Sequence, residues 1–264
     1  QSIIDQTFLD YEIIISTQNF YQDLKQNQLL KSKFIKIIDA KLVGGFIQGN
    51  INNAFKFCSG EWIKILFSDD YFYSKEDLKN IYQCINTKNK KDSYWFLNNS
   101  LHCKEQSLEI INPIIPFFQE RILEINTIGS PSALLIRNKD LILFDEKTWM
   151  RLDVDYYYAL FIKYGKPNYI SNVFVVNEMH KNQFSSLMRK KSNTTNQKLK
   201  MELNYLYKKY NVKEKNKLKI LIFKIIIKIE RIFLSILFLL LRKKFFKYKN
   251  LLFKLTYYKL FYIN

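Results

Sequence analysis

Short, uninterrupted runs of branched apolar residues recur through the first two thirds of the chain, and segments of helical spacing separate them. Residues 11–16, 34–38 and 62–67 are runs of this kind, which suit strands covered on both faces of a sheet. Between Gly44-Gly45 and Gly60, the residues Ile51, Ala54, Phe55 and Cys58 recur at the period of a helix. Ser74 followed by Asp77 reads as an approximate capping box opening a second helix that reaches about Cys84. Residues 93–97 and 133–137 look like further strands, 154–164 like a helix stopped by Gly165 and Pro167, and 170–176 like a closing strand. This alternation predicts an α/β fold with a mostly parallel sheet flanked by helices. With 48% hydrophobic residues in a chain of 264, there is material for a real core, and intrinsic disorder is excluded.

Ligands bind such sheets at the carboxyl ends of the strands, and the run 62–67 ends on Ser68-Asp69-Asp70. Adjacent carboxylates repel unless a cation, a hydrogen-bond donor or water relieves them. Their hard oxygens suit Mg2+ or Mn2+, which commonly bridge to substrate phosphates; a solvated turn before the Ser74 helix is the plainer alternative. A second acidic pair, Asp153 and Asp155, stands at the start of the 154–164 helix. Negative charge there is favoured by the helix dipole, and a carboxylate so placed can also act as general base toward an acceptor hydroxyl. Cys58, Cys84 and Cys103 include no Cys-x-x-Cys pair and are odd in number, so the reading is of reduced thiols facing the cytosol. Together with only two histidines, His102 and His180, they leave little for a zinc site.

Charge splits the chain in two. Through residue 186, 21 Lys and Arg balance 21 Asp and Glu; the rest carries 21 against 3, so the net charge of +18 lies in the C-terminal part. There Lys217, Lys224, Lys228, Arg231, Ser235 and Arg242 fall on one helical stripe beside a wide face of Ile, Leu and Phe. The longest uncharged run, residues 232–241, falls well short of the roughly 20 residues needed to span a bilayer. An amphipathic helix lying on an anionic membrane surface needs no such length. Cations interleaved with aromatics over residues 242–249 strengthen that attraction by about 1 kcal/mol each. Stacking on nucleic acid would use the same interleaving but leaves the apolar face unexplained, so a membrane is the preferred partner over nucleic acid. A helical hairpin packed on a partner protein is a third option.

Gln1 through Ile15, Asn50-Ile-Asn-Asn-Ala54, Gly60-Glu-Trp-Ile-Lys-Ile-Leu-Phe-Ser-Asp-Asp70 and Leu152-Asp-Val-Asp155 resemble, in order and spacing, a family 2 glycosyltransferase. Asn126-Thr-Ile-Gly-Ser-Pro-Ser132 resembles that family's acceptor-side segment. The likeness covers about residues 1–185. It implies a GT-A (Rossmann-like) domain over 1–185, followed by the basic helical tail 186–264. It also implies a nucleotide-sugar donor, a divalent metal (Mn2+ or Mg2+) and inversion at the anomeric carbon. On this resemblance Asp70 matches the acid that holds the metal on the donor diphosphate, Asp69 its neighbour on the sugar-nucleotide side, and Asp153 the catalytic base. His180, in a His-x-x-Gln stretch, resembles a late segment that touches the diphosphate or its metal, with a surface-loop histidine as the alternative. Lys41 is a candidate phosphate contact, with an ordinary solvated lysine as the alternative.

Departures from the family pattern accompany the likeness. The family's first strand, ahead of the Gln1 helix, has no counterpart, so the domain is expected to be N-terminally incomplete. Ser16-Thr17-Gln18 stand where an Asp usually helps read the base, and Phe67 and Leu152 replace acids. The expectation is a peripheral enzyme on the cytoplasmic face of the membrane. It would move a sugar from a nucleotide donor to a hydroxyl of a saccharide or lipid-linked saccharide in surface-polysaccharide assembly. A catalytically inactive, truncated membrane-binding relative is the rival reading, and a nucleotidyltransferase a further one.

Overall fold

In the computed structural model, residues 19, 32–33, 41–46, 88–91, 105–109, 180–191, 214–216 and 241–264 fall outside the described residues, and all others are described. Strand β1 (Ile13–Thr17) leads through helix α1 (Tyr21–Gln26) to β2 (Ile35–Asp39), and the two strands pair in parallel with Ile15 opposite Ile37. Helix α2 (Ile47–Phe55) packs against β1. Its buried Asn52 exchanges two hydrogen bonds with the backbone of Phe144, at 2.9 and 2.8 Å. After β3 (Trp62–Lys64), β4 (Asp70–Phe72) and α3 (Asp77–Ile85) come β5 (Trp95–Lys104), β6 (Ile110–Ile114) and β7 (Leu134–Arg137). Helix α4 (Leu152–Tyr164), strand β8 (Asn168–Met179) and helices α5 (Ser192–Lys209) and α6 (Lys217–Leu240) complete the described elements.

The larger sheet runs β3-β7-β5-β8-β4, with β6 added on β5. Trp95 and Leu97 of β5 enter one core with Ile122, Tyr156, Tyr157 and Leu206; Phe96 between them enters the other with Phe72, Ile81 and Val175. Both faces of β5 are covered, so Trp95, Phe96 and Leu97 read as an apolar run without alternation, and the polar Asn98, Asn99 and Ser100 that follow them are buried as well. Helix α3 covers one face, and α2, α4 and α5 the other. Helix α4 ends where expected: Gly165 takes φ = 77°, a left-handed conformation that glycine adopts at no steric cost.

The α/β class with helices on both faces holds, but the pairing direction is corrected. β1–β2 and β5–β8 are parallel, whereas β3–β7, β5–β7, β4–β8 and β5–β6 are antiparallel. An apolar run reports coverage on both faces, not the direction of the neighbour, so the sequence could not separate the two. Residues 1–5 form turns in place of the expected helix at Gln1. The strand expected over 62–67 stops at Lys64, so Asp70 does not end that strand but opens β4 against Asn177 of β8. The bonds of the Ser74 box form, with Ser74 N–H donating to the Asp77 carboxylate at 2.7 Å and Ser74 Oγ accepting from Glu76 N–H at 3.2 Å, while the helix itself starts at Asp77 with Glu76 as its N-cap.

Beyond residue 186 the two helices pack differently. Helix α5 completes the main core: Leu206 is wholly buried, and Glu202 accepts from the backbone N–H groups of Met150 and Arg151 at the head of α4, both at 3.0 Å. Among its described side chains helix α6 buries a narrow stripe, Ile227, Leu234 and Phe238, and it packs against β6. Among the described residues no helix is long and apolar enough to cross a membrane.

Candidate active site

One seven-residue loop joins the two acidic centres. Asn126 anchors it: the side-chain oxygen accepts from the N–H groups of Ile128 and Gly129 at 3.0 and 2.8 Å, and the amide nitrogen donates to Gly129 O at 3.0 Å. This is the local closure at which Asn excels, and Gly129 completes it with φ = 104°. The hydroxyl of buried Tyr157, from α4, donates to Gly129 O at 3.1 Å and holds the turn from below.

At its first residue this loop reaches Asp153, since Asn126 Nδ2 donates to Asp153 Oδ2 at 2.5 Å. The other carboxylate oxygen accepts from Val154 N–H at 2.8 Å, in the first turn of α4. Burial raises the Asp153 carboxyl to about 6, against the opposing effects of the backbone N–H groups, Arg151 and Asn126. A carboxyl so placed is ionised at neutral pH yet more basic than an ordinary aspartate, which suits proton abstraction.

Farther along, the same loop reaches Asp70. Ser130 Oγ donates to Asp70 Oδ2 at 3.3 Å, and Ser132 Oγ accepts from Phe67 N–H at 2.9 Å, pinning the segment that carries the acid pair. Burial raises the Asp70 carboxyl, with Ser132, Asn177 and Ser130 acting against it and Asp69 adding to it. Lys64 lies beneath, donating to the carbonyls of Ser132 and, at 3.3 Å, Leu134. Burial lowers its ammonium to about 7, opposed by Asp70 and Asp77. The structure therefore brings Asp70 and Asp153 to the two ends of one short segment, with Asp69 beside the first.

Asp155, the other acid of the second pair, points elsewhere. It receives Lys209 Nζ at 2.8 and 3.0 Å and the Tyr210 hydroxyl at 2.7 Å, all from α5 and its end, and is almost fully buried. Helical geometry turns residues two apart by about 200°, so one acid faces the loop and the other the core helix. Lys41 and His180 lie outside the described residues.

Among the described residues no group of three or more His, Cys, Asp or Glu gathers around a metal position. Asp69 and Asp70 nonetheless fit Mg2+ or Mn2+ of the substrate-bridged kind, which takes one or two carboxylates and completes its shell with water and phosphate. The site residues that sequence reading had not singled out are Lys64, Ser130, Tyr157 and Asn177. Lys64 carried the one available signal, a lysine inside an otherwise apolar strand.

The end of β1 supplies a separate polar corner. Asn50 Nδ2 donates to Ser16 O at 3.1 Å, and Asn53 Nδ2 to Ser16 Oγ at 3.3 Å. The residues replacing the expected base-reading acid are thus tied to α2, and both asparagines come from the resemblance segment at 50–54.

No family model and no curated protein matches the sequence. Among solved structures, the chain is similar to S. aureus TarS residues 1–349 in complex with UDP-GlcNAc, at 19% identity and a TM-score of 0.51. That match covers 70% of this chain and 55% of the other. The same protein in complex with UDP gives 20% identity and a TM-score of 0.50 over 71% of this chain and 57% of that one. The chain therefore spans little more than half of the structure it matches. The likeness is one of fold, and it places this chain in the GT-A, Rossmann-like class.

Proposed function

We propose that this protein is a glycosyltransferase of the family 2 type, transferring a sugar from a nucleotide-sugar donor to an acceptor hydroxyl with inversion. The observation that carries the reading is the loop 126–132, hydrogen-bonded at one end to Asp153 and at the other to Asp70. A carboxylate with raised basicity and a diphosphate-binding acid held at a fixed separation are what a single displacement needs.

In this mechanism Asp69 and Asp70 would hold Mn2+ or Mg2+, which would supply positive charge against the departing diphosphate. Asp153 takes the proton of the acceptor hydroxyl as its oxygen forms the new bond to the anomeric carbon, and the bond to the diphosphate breaks. Asn126 and the Val154 N–H keep the carboxylate aimed by donating one to each of its oxygens. Lys64 adds positive character beside Asp70. His180 remains a donor-side candidate on the family resemblance, and Lys41 on its place in a basic, polar stretch before Gly44-Gly45. The UDP and UDP-GlcNAc of the TarS complexes make uridine nucleotides the first donors to test.

The acceptor we propose is a saccharide, free or lipid-linked, of the kind used in surface-polysaccharide assembly, and the protein's place is the cytoplasmic face of the membrane. What supports this is α6, whose residues Leu221, Ile225, Ile229, Ile232, Phe233 and Ile236 each expose half or more of their surface. A row of that size is unusual on a water-facing surface and suits an interfacial helix.

Calorimetry with UDP, GDP, CDP and ADP, each with and without Mn2+, tests the reading. Binding of one nucleotide that requires Mn2+ and is lost in Asp70→Asn is the expected result. No heat with any nucleotide favours the non-catalytic relative, and release of pyrophosphate during turnover favours nucleotidyl transfer.

A further inference from the structure

A groove of about 510 Å³ lies between α6 and the edge of the body. Lys224, Lys228 and Arg231 line one wall, and Asn112 of β6 and Ile125 the other. These three cations belong to the stripe that the sequence placed beside the apolar face. The structure sets them between the buried seam of Ile227 and Leu234 and the exposed apolar row, at the boundary between body and surroundings.

The groove adjoins the proposed active site. Arg231 Nη2 donates to Asn126 O at 3.4 Å, and Asn126 is the residue that holds Asp153. Beneath it, His102 stands opposite Asn112 in the β5–β6 pair. Burial, followed by the nearby charge of Arg231, holds the His102 imidazole below its ordinary range, against the effect of Asn112. The acid nearest in sequence, Glu230, is one residue from Arg231 and is turned about 100° away from it on the helix. Its charge still acts on Arg231, but Glu230 does not line the groove, whereas the three cations do.

We propose that this groove is a phosphate site for a lipid-borne acceptor. Lys224, Lys228 and Arg231 receive the phosphate, the lipid chain follows the exposed apolar row of α6, and the attached sugar reaches Asp153 beside Asn126. This rests on the glycosyl-transfer reading above and adds to it the acceptor's chemical class and position. Cations at the rim of an apolar helical face match a ligand with an anionic head and an apolar tail. A soluble saccharide would use neither feature.

The test is flotation of the full chain with phosphatidylcholine vesicles of two kinds. One set carries 5 mol% polyprenyl monophosphate; the other carries phosphatidylglycerol at matched vesicle charge. The protein is expected to bind the first set at least tenfold more tightly. The double variant K224Q/K228Q, at two exposed positions whose loss leaves the fold intact, is expected to abolish that preference, and R231K to retain most of it. Equal binding to both vesicle types would mean general attraction to an anionic surface and would overturn the proposal. So would an unchanged preference in K224Q/K228Q, or full competition by free inorganic phosphate at equal concentration. Nucleotide calorimetry on the same samples separates the two readings. Nucleotide binding without a vesicle preference defeats only the groove, and vesicle preference without nucleotide binding defeats the transferase.

Discussion

Helix α4 offers one carboxylate to each of two neighbours, and the two are treated in opposite ways. Asp155 meets a lysine and a tyrosine hydroxyl from the α5 segment, with 3% of its side chain exposed. Asp153 meets an asparagine amide and a backbone N–H, and no cation forms an ion pair with it among the described contacts. Burial raises both, but only Asp155 is compensated by an ammonium in contact. A saturated ion pair fixes structure, whereas a carboxylate held by neutral donors keeps basicity in reserve. The difference separates a residue that attaches a helix from one poised to move a proton.

The largest expected effect comes from Asp153→Asn. Nucleoside diphosphate release should fall about 10³-fold, the usual worth of a general base, while calorimetric affinity for the donor stays within twofold. An equal loss of donor affinity would show that Asp153 belongs to the binding site and would blur the contrast.

Next comes Lys209→Met. Removing the ammonium leaves Asp155 buried and unpaired and takes a partner from Asp145, at a cost of about 3 kcal/mol. Urea unfolding at pH 7 should register it, with donor affinity unchanged in the folded fraction. Stability close to that of the parent protein would mean that α5 is held by Leu206 and its neighbours alone.

A pH series sharpens the comparison further. The folded protein keeps the Asp153 proton up to about pH 6, the unfolded chain only to about pH 4. Folding therefore binds a proton in that window, and this group's contribution to stability declines as pH climbs from about 4 to about 6. Asp153→Asn lacks the decline and should exceed the parent at pH 7 by about 3 kcal/mol, with the gap closing below pH 4. Turnover in the parent should rise with pH through about 6 and then level. Thermal melts and initial rates across pH 4 to 8 check both.

The smallest stability effect belongs to the outer face of α6. Replacing Ile225 and Ile229 with Ser should alter unfolding free energy by no more than about 0.5 kcal/mol each, as at other exposed positions. Vesicle affinity should fall clearly. A large loss of stability would place a protein surface against that face, the reverse of what α5 and α6 display side by side.

Several elements were legible because their signals are local. The runs at 11–16 and 34–38, the Ser74 box, the 154–164 helix and its stop at Gly165 follow from side chains acting on their own backbone. Strand β6 was not: Asn112 and Pro113 interrupt it, and it forms because β5 offers an edge, with Ser100 opposite Ile114. Helix α5 looked like part of a basic tail because its lysines dominate its composition. Lys209 alone finds two buried or half-buried acids far back in the chain, and Leu206 fills the core behind them.

Most of the strands and helices, though not β4 or β6, together with the acidic pairs and the segregation of positive charge into the last third, were determined by the sequence. These depend on residue type and on neighbours within a helical turn or a strand's length. Tertiary structure alone decided the pairing direction, the sorting of Asp153 from Asp155, and the position of the α6 cations at the rim of a groove. Each of those depends on which distant group arrives at a side chain, and a hydrogen bond or an ion pair is set by that arrival within a few ångströms.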